Sequence, residues 1–407
     1  MVKTYQYRIY PTQAQANTLK TWLGACRNIY NQALAWRKHA YEQKGKPVSY
    51  IQQANALTPL RGGSPFWSSL HSDALQDTLR RLDKAYKAFF RRVKKGEKPG
   101  FPRFKSKGRY RSMTYSHLSV KLIRSARGRL AHVIIPKIGQ VKIRLHRPLP
   151  DGRIKTLTIQ HKASGWYASI CVQVPDVPKV EVVTAVGVDV GLKSFLTTSD
   201  GEKVDNPRHL RQAEKNLKRK QHNISRRKKT SNRRKKFVHE LALQHEHIAN
   251  QRKDFHGKTA HQLYLRYDAV VVENLQIRNM VKNHHLAKSI SDAAWGNFIS
   301  TLASKAENAG LHLLKVSPHG TSQACSGCGE TVKKSLAVRI HRCNSCGLVL
   351  DRDHNAAINI LNRAALALRE GALEVISPEK LLQERKKREI RKSCDGESLQ
   401  APPFMAG

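Results

Sequence analysis

The sequence predicts a multidomain α/β protein in which a small β-barrel domain carries a helical insertion and a second, α/β domain carries a four-cysteine module. Three observations predict this. The apolar period changes from two to about 3.6 and back to two within the first 182 residues. Two short apolar runs, Gly187-Val188-Asp189-Val190-Gly191 and Val270-Val271-Val272-Glu273-Asn274, each reach a carboxylate at or near their end. Two C-x-x-C pairs, Cys325/Cys328 and Cys343/Cys346, are separated by 14 residues.

In chain order, Lys3 to Tyr10 alternate as one strand closed by Pro11. From Thr12 to Phe90 the period is helical. Leu19, Trp22, Leu23, Cys26, Ile29, Tyr30, Ala33 and Leu34 recur at steps of three and four, as do Leu75, Leu79, Leu82, Tyr86, Phe89 and Phe90. These aromatics are expected in a helix core. A basic link at 94–105, broken by Gly and Pro, returns the chain to period two. Leu118, Val120 and Leu122 alternate, then Val141, Ile143 and Leu145, then Ala168, Ile170, Val172 and Val174. The N-terminal strand is expected to join this antiparallel region, which makes the helical block an insertion.

Residues 175–182 read as a linker. Ala185–Val190 and Ser194–Thr198 form a hairpin around Gly191. Residues 207–262 read as helical and densely basic, notably Arg226, Arg227, Lys228 and Lys229, and Arg233 and Arg234 with Lys235 and Lys236. Acids are sparse around these runs, so they are expected to touch nucleic acid rather than only solvent. Tyr267–Glu273 is a second buried strand and Ala293–Ala309 a helix. A last helix runs from Asp353 to about Arg369. The tail beyond residue 370 is charged and expected to be disordered.

Composition narrows the function. The formal net charge is +44, from 74 Lys and Arg against 30 Asp and Glu. Such an excess repels itself unless a polyanion lies among the charges, and nucleic acid is the expected polyanion. No apolar run is long enough to span a membrane and no lipidation motif is present, so a membrane partner is not expected. The N-terminus has no signal-peptide core. Seven cysteines, four of them in C-x-x-C pairs, form a metal pattern of a reducing compartment, so the expected location is the cytoplasm.

Asp189, Glu273 and Asp353 stand out as acids in a basic chain. Adjacent strands would bring Asp189 and Glu273 together, and the helix start would add Asp353; Asp351 is the rival for that third place. Hard carboxylate oxygens suit Mg²⁺ or Mn²⁺, and two such ions can clamp the attacking and leaving oxygens of a phosphodiester. Cys325, Cys328, Cys343 and Cys346 complete a tetrahedral thiolate set for one structural Zn²⁺. His319 and His341 flank that set and are expected to pack or face solvent rather than bind.

The order GVDVGLKSF, VVVENL, C-x-x-C…C-x-x-C and DRDHNAAINI resembles the TnpB family, insertion-sequence proteins related to type V CRISPR effector nucleases. YRIYP (Tyr7–Pro11), Ala74-Leu75-Gln76, Ala85-Tyr86-Lys87, Gly100-Phe101-Pro102-Arg103-Phe104 and SISDAAWGNF (Ser289–Phe298) are similar to it too. The resemblance covers about residues 5–365. It implies an RNA-guided DNA endonuclease whose guide RNA comes from its own transposon end and whose target is double-stranded DNA. It implies a RuvC (RNase H-like) nuclease domain at 183–320 and 349–370, with Asp189, Glu273 and Asp353 catalytic. It further implies a zinc-ribbon target-nucleic-acid-binding module at 321–348, a β-barrel wedge domain at 1–11 and 111–182, and helical recognition at 12–110. Tyr50 and Gln76 match positions that contact the target-adjacent duplex in relatives. Tyr115-Ser116 departs from the pattern, so the recognised motif does not transfer. Three other readings remain open: a non-catalytic regulator, a strand-transferring transposase and a guide-independent nuclease.

Overall fold

The computed structural model describes residues 1–116, 121–124, 130–335 and 338–369. The expectations for Leu118, Val120, Cys394 and the tail at 371–407 lie outside those residues. The chain divides into two compact units, Met1–Asp176 and Val177–Gly407.

The first unit begins with β1 (Val2–Tyr10). Five helices follow: α1 (Gln13–Lys44), the short α2 (Tyr50–Asn55), α3 (Leu57–Gly62) and α4 (Pro65–Ser69), and α5 (Ser72–Lys94). Six strands complete the unit: β2 (Ser112–Ser116), β3 (Lys121–Arg124), β4 (Leu130–Ile135), β5 (Gly139–Arg144), β6 (Arg153–Lys162) and β7 (Gly165–Gln173). They form one antiparallel sheet ordered β2-β6-β7-β1-β5-β4-β3. The N-terminal strand therefore lies inside the sheet, with Tyr7 opposite Ala168 and Ile9 opposite Ile143. Its alternation puts Tyr7 and Ile9 in the core with Val141, Ile143, Ala168 and Ile170. Among the described residues β2 and β3 are its two edges, and they do not pair with each other.

The helical block enters through a capping box. Thr12 Oγ1 accepts from the Gln15 amide at 3.3 Å, and Gln15 Oε1 accepts from the Thr12 amide at 3.0 Å. The expected stripe of α1, from Leu19 to Leu34, is buried. The stripe of α5 is buried only at Leu75, Leu79 and Leu82. Tyr86 is half-buried and packs on the core, Phe89 is half-buried, and Phe90 is 55% exposed, so the core expectation fails at Phe90. The reason is the partner helix. Cys26 lies against Ala74 and Arg37 against Asp83, so α1 and α5 run parallel, and the last turns of α1 are polar.

The second unit opens with β8 (Ala185–Val190), β9 (Ser194–Thr198) and β10 (Lys203–Asp205). The long basic segment is two helices, α6 (His209–Ser225) and α7 (Asn232–Arg266). The turn between them carries Arg226–Lys229 and ends at Ser231, which caps α7 by accepting from the Arg234 amide at 3.2 Å. Then come β11 (Ala269–Glu273), α8 (Ile277–Met280), α9 (His284–Ala293), α10 (Trp295–Ala309) and β12 (His312–Val316). The hairpin β13 (Ile340–Arg342) and β14 (Val349–Asp351) leads into α11 (Arg352–Arg369). The five-stranded sheet is ordered β10-β9-β8-β11-β12, with β11 parallel to both β8 and β12. One face, through Val186, Val188, Val270 and Val272, packs on α7, α9 and α10. The other, through Val271, packs on Ile360 and Ala364 of α11. No helix among the described residues is long and apolar enough to cross a membrane.

Candidate active site and metal centre

Strand alternation decides which way the acids point. Val188 pairs with Val272 in the parallel register, so Asp189 and Glu273 are the next residues along neighbouring strands. Both lie on the opposite side from the valines, continuing the face of Gly187 and Val271 that α11 covers. Gly187 permits that cover. A Cβ there would lie 2.1 Å from the Ala357 carbonyl oxygen and 2.8 Å from the Leu361 amide. With no side chain at 187, the helix rests on the strand itself, and the charges of its first turn, Arg352 and Asp353, act on Asp189.

Asp351 and Asp353 divide their work. Asp351 caps α11, its Oδ1 accepting from the amides of Asp353 at 2.9 Å and His354 at 3.3 Å. Its other oxygen pairs with Lys203 at 2.8 Å. Burial pushes the Asp351 carboxyl up, but Lys203 and the two amides outweigh it and hold the group below its ordinary range. Asp353 lies in the first turn of the helix rather than before it. Its Oδ1 accepts from Nε and Nη2 of Arg352, each at 3.3 Å.

Asp189 carries the electrostatic cost of the arrangement. Burial, then repulsion from Glu273, Asp353 and, more weakly, Asp351, pushes its carboxyl up to about 8, and Arg352 pulls the other way. Burial also raises Glu273, opposed by a hydrogen bond from Thr321 and by the charge of Arg363. Asp189 feels the other acids, but the three do not form a tight ligand set. Among the described residues, only the four cysteines gather three or more such donors all within 4.8 Å. A divalent ion fits as the group that would neutralise the repulsion and draw the carboxylates together.

Three polar residues that no sequence expectation named hold this region. Thr321 is 3% exposed, and its hydroxyl donates to Glu273 Oε1 at 2.5 Å. Asn355 and Asn359, on successive turns of α11, are buried. Asn355 donates to the Ala324 carbonyl at 2.8 Å and accepts from the Ser326 amide at 2.9 Å. Asn359 donates to the carbonyls of Thr321 and Ala324 at 2.9 and 2.7 Å. The helix that carries Asp353 thus also grips the backbone of the first cysteine turn. The signal was present in the repeat of Asn four residues apart after Asp353, since Asn at i and i+4 shares one helix face.

The cysteine turns are built alike. In each, the first cysteine's amide donates to a carbonyl five residues on, Cys325 to Glu330 and Cys343 to Leu348, both at 2.9 Å. The following glycine closes the turn, Gly329 to the Cys325 carbonyl and Gly347 to that of Cys343. Both glycines have left-handed φ, +82° and +74°, which a side chain would strain. Cys325 and Cys346 sulfurs are 3.6 Å apart, as are those of Cys328 and Cys343. A tetrahedron with metal–sulfur bonds of about 2.3 Å has edges of about 3.8 Å, so the set fits Zn²⁺. Without a metal the sulfurs share their protons unevenly: the Cys346 amide, then that of Ser345, draws the Cys343 thiol down to about 6, while at Cys328 the Glu330 amide is outweighed by the neighbouring thiols, which push the group up to about 12. His341 is fully buried beside Lys334, a packing residue, while His319 is exposed.

The residues expected at nucleic acid are spread out. Arg226, Arg227, Lys228 and Lys229 are all exposed in the turn joining α6 and α7. Arg233 is exposed and Arg234 half-buried at the start of α7. In the first unit, Tyr50 is half-buried against the core at the start of α2. Gln76, half-buried on α5, accepts from Arg80 at 3.2 Å.

Family models match three segments: one described as "Probable transposase" at residues 169–284, one as "Cas12f1-like, TNB domain" at 295–360, and one as "Helix-turn-helix domain" at 1–46. The last spans only β1 and the single helix α1 with its cap. The chain is 36% identical over 365 residues to a Streptomyces pristinaespiralis protein named "Putative RNA-guided DNA endonuclease", covering 88% of each chain. It is 29% identical over 379 residues to the similarly named InsQ of Escherichia coli, covering 88% of this chain and 92% of that one. Its fold is similar to that of the mini-RNA-guided endonuclease CRISPR-Cas_phi3, with a TM-score of 0.53 at 10% identity over 92% and 94% of the two chains. Identity of that level across nearly the whole length, with family models falling on both the acidic strands and the cysteine module, means that the chain belongs to the OrfB_IS605/TnpB family.

Proposed function

We propose that this protein is a transposon-encoded RNA-guided DNA endonuclease with Asp189, Glu273 and Asp353 as its catalytic acids. The observation that carries the reading is their convergence: two acids continue one face of parallel neighbouring strands, and the third sits in the first turn of the helix on that face. A strand order of three antiparallel strands followed by two parallel ones supports an RNase H-like (RuvC) domain at residues 183–320 and 349–370. The four-cysteine module at 321–348 is its zinc-ribbon insertion, and 1–11 with 111–182 and 12–110 are the wedge and recognition domains.

The three acids would hold two Mg²⁺ or Mn²⁺ ions, which supply an activated water and neutralise charge on the departing oxygen. The chain's own residues do the rest. Thr321 keeps Glu273 aimed and favours its ionised form. Arg352 stands on Asp353 and must yield that carboxylate when an ion binds. Cys325, Cys328, Cys343 and Cys346 would hold one Zn²⁺, which would stiffen the module that begins at Thr321. The guide RNA, drawn from the transposon end, and the double-stranded DNA target meet a surface of widely spread Lys and Arg. Such a surface grips backbone without reading sequence, which pairing with the guide then supplies.

The test is a cleavage assay. The protein is co-expressed with RNA from the flank of its gene. The complex is then given Mg²⁺ and plasmids carrying a guide-matched target beside randomised bases. Cutting of matched plasmids beside one short motif is expected. Cutting without RNA would mark a guide-independent nuclease, joined strands a transposase, and no cutting by an RNA-loaded, zinc-replete complex a regulator.

A further inference from the structure

The first unit holds a cavity of 570 Å³ where the last turns of α1 and α5 meet the loop after α5. Its apolar lining is mostly aromatic, Tyr41, Tyr86, Phe89, Phe90 and Phe101, completed by Pro47 and Val48. Tyr41 is 67% exposed, Phe90 55% and Phe101 44%. Aromatic rings are costly to leave in water, and three beside one hollow form a patch rather than scattered exposure.

The rings are held in place. Phe101 meets Tyr86 edge-on at 5.6 Å and Phe89 at 5.4 Å, and Phe89 meets Phe90 at 5.2 Å. The Arg37 guanidinium lies 5.0 Å over Tyr86. The loop that brings Phe101 is tied down beside it, Asn31 exchanging hydrogen bonds of 3.0 and 2.8 Å with the backbone of Lys105. Such a cavity is preformed, so a flat ligand would pay little to order it.

Charge decides what kind of flat ligand. The two acids of the cavity are already answered, Asp83 by Arg37 at 3.4 Å and Lys87 at 3.0 Å, and Glu42 by Lys38 at 3.6 Å. The chain just beyond the cavity carries Arg91, Arg92, Lys94, Lys95 and Lys98 against the single acid Glu97. An aromatic wall beside a cationic run suits a π-faced group attached to phosphates. An apolar protein segment would use the wall and leave the cations unmatched.

We propose that this cavity takes an unpaired nucleobase of bound RNA, stacked against Phe90, Phe101 and Tyr41, with the flanking phosphates on the run from Arg91 to Lys98. The proposal rests on the reading of the chain as an RNA-binding protein. It gives a role to Gly100-Phe101-Pro102-Arg103-Phe104, a motif that the cleavage chemistry does not use.

The test uses the full-length protein and a single-stranded oligouridylate bearing 4-thiouridine, with its oligoadenylate duplex as comparison. Photocrosslinks are expected at Tyr41, Phe90 or Phe101 with the single strand. The double variant Tyr41→Ala/Phe90→Ala should lose about tenfold in single-strand affinity, as one stacked base is worth about 1–3 kcal/mol. It should keep the wild-type duplex affinity, melting temperature and log–log salt slope, because no phosphate contact is lost. Arg91→Ala/Lys94→Ala should instead lower that slope by about 0.7 for each contact removed. Wild-type single-strand binding with an unaltered aromatic variant and no crosslink at these rings would overturn the proposal and leave RNA binding standing. Loss of binding to the apolar dye ANS alone, with RNA unaffected, would overturn it in favour of an apolar docking site. A wild-type protein that binds no RNA would remove both the proposal and the reading beneath it.

Discussion

Asp189 is the residue on which the candidate site turns, because its surroundings oppose its charge. Its carboxyl, pushed up to about 8, stays protonated at neutral pH when no cation is present. The folded chain therefore binds a proton that the unfolded chain releases near its ordinary value of 3.8. Stability without divalent ions is greatest at low pH in this window and falls as pH rises from about 4 through about 8. Melting in magnesium-free buffer across that range should show the decline, and Asp189→Asn should flatten it. Cutting should fall by about 10³-fold or more in Asp189→Ala, Glu273→Ala or Asp353→Ala, since metal-held charge is worth several kcal/mol. RNA binding in a gel-shift assay should persist; full cutting by any of the three would sink the assignment. Thr321→Val removes the hydroxyl that favours ionised Glu273, so a loss of about 10–100-fold in magnesium affinity or cutting is expected, with Thr321→Ser restoring most of it. Asp189 and Glu273 were legible because each continues an apolar run. Thr321 was not, because a lone threonine before a cysteine turn has no periodicity to mark it.

At the scale of elements, β8 and α11 depend on a missing side chain. Gly187→Ala would place a methyl group against the Ala357 carbonyl, with no flexible side-chain end to move aside. Overpacking of this kind costs about 1–3 kcal/mol, occasionally more, and here it would lift Asp353 away from Asp189. Chemical denaturation and cleavage should therefore fail together in this variant. The cysteine module is coupled to the same helix through Asn355 and Asn359 and to Glu273 through Thr321. Cys343→Ser should lose zinc by elemental analysis and reduce cutting although all three acids remain. Normal zinc content and normal melting in that variant would remove the metal assignment. The cysteine spacing was readable because metal chemistry demands it. The path from the cysteine turn to the acids was not, since it runs through side-chain hydrogen bonds between residues 31 and 48 positions apart. Helix α5 shows the converse: its period predicted burial through Phe90, but the polar end of α1 supplies no surface to bury it.

For the whole molecule, a charge of +44 is the governing quantity. Affinity for RNA should fall steeply with salt, and replacing Arg226, Arg227, Lys228 and Lys229 by Ala should reduce the log–log slope by up to about 3 if each meets a phosphate of a single strand. An unchanged slope in a filter-binding titration would mean that this turn only faces solvent. The sequence by itself determined the large positive charge, the four-cysteine set, the acids at or near the ends of apolar strands and most of the regular elements. These follow from composition, from ligand chemistry and from local period, all of which are written in nearby residues. Only the tertiary structure decided that Asp351 caps a helix while Asp353 lies in its first turn against Arg352. It alone revealed Gly187 as the seat of α11 and left Phe90 outside the core. Those outcomes depend on which distant surface arrives opposite a residue, and no local pattern in the chain encodes that.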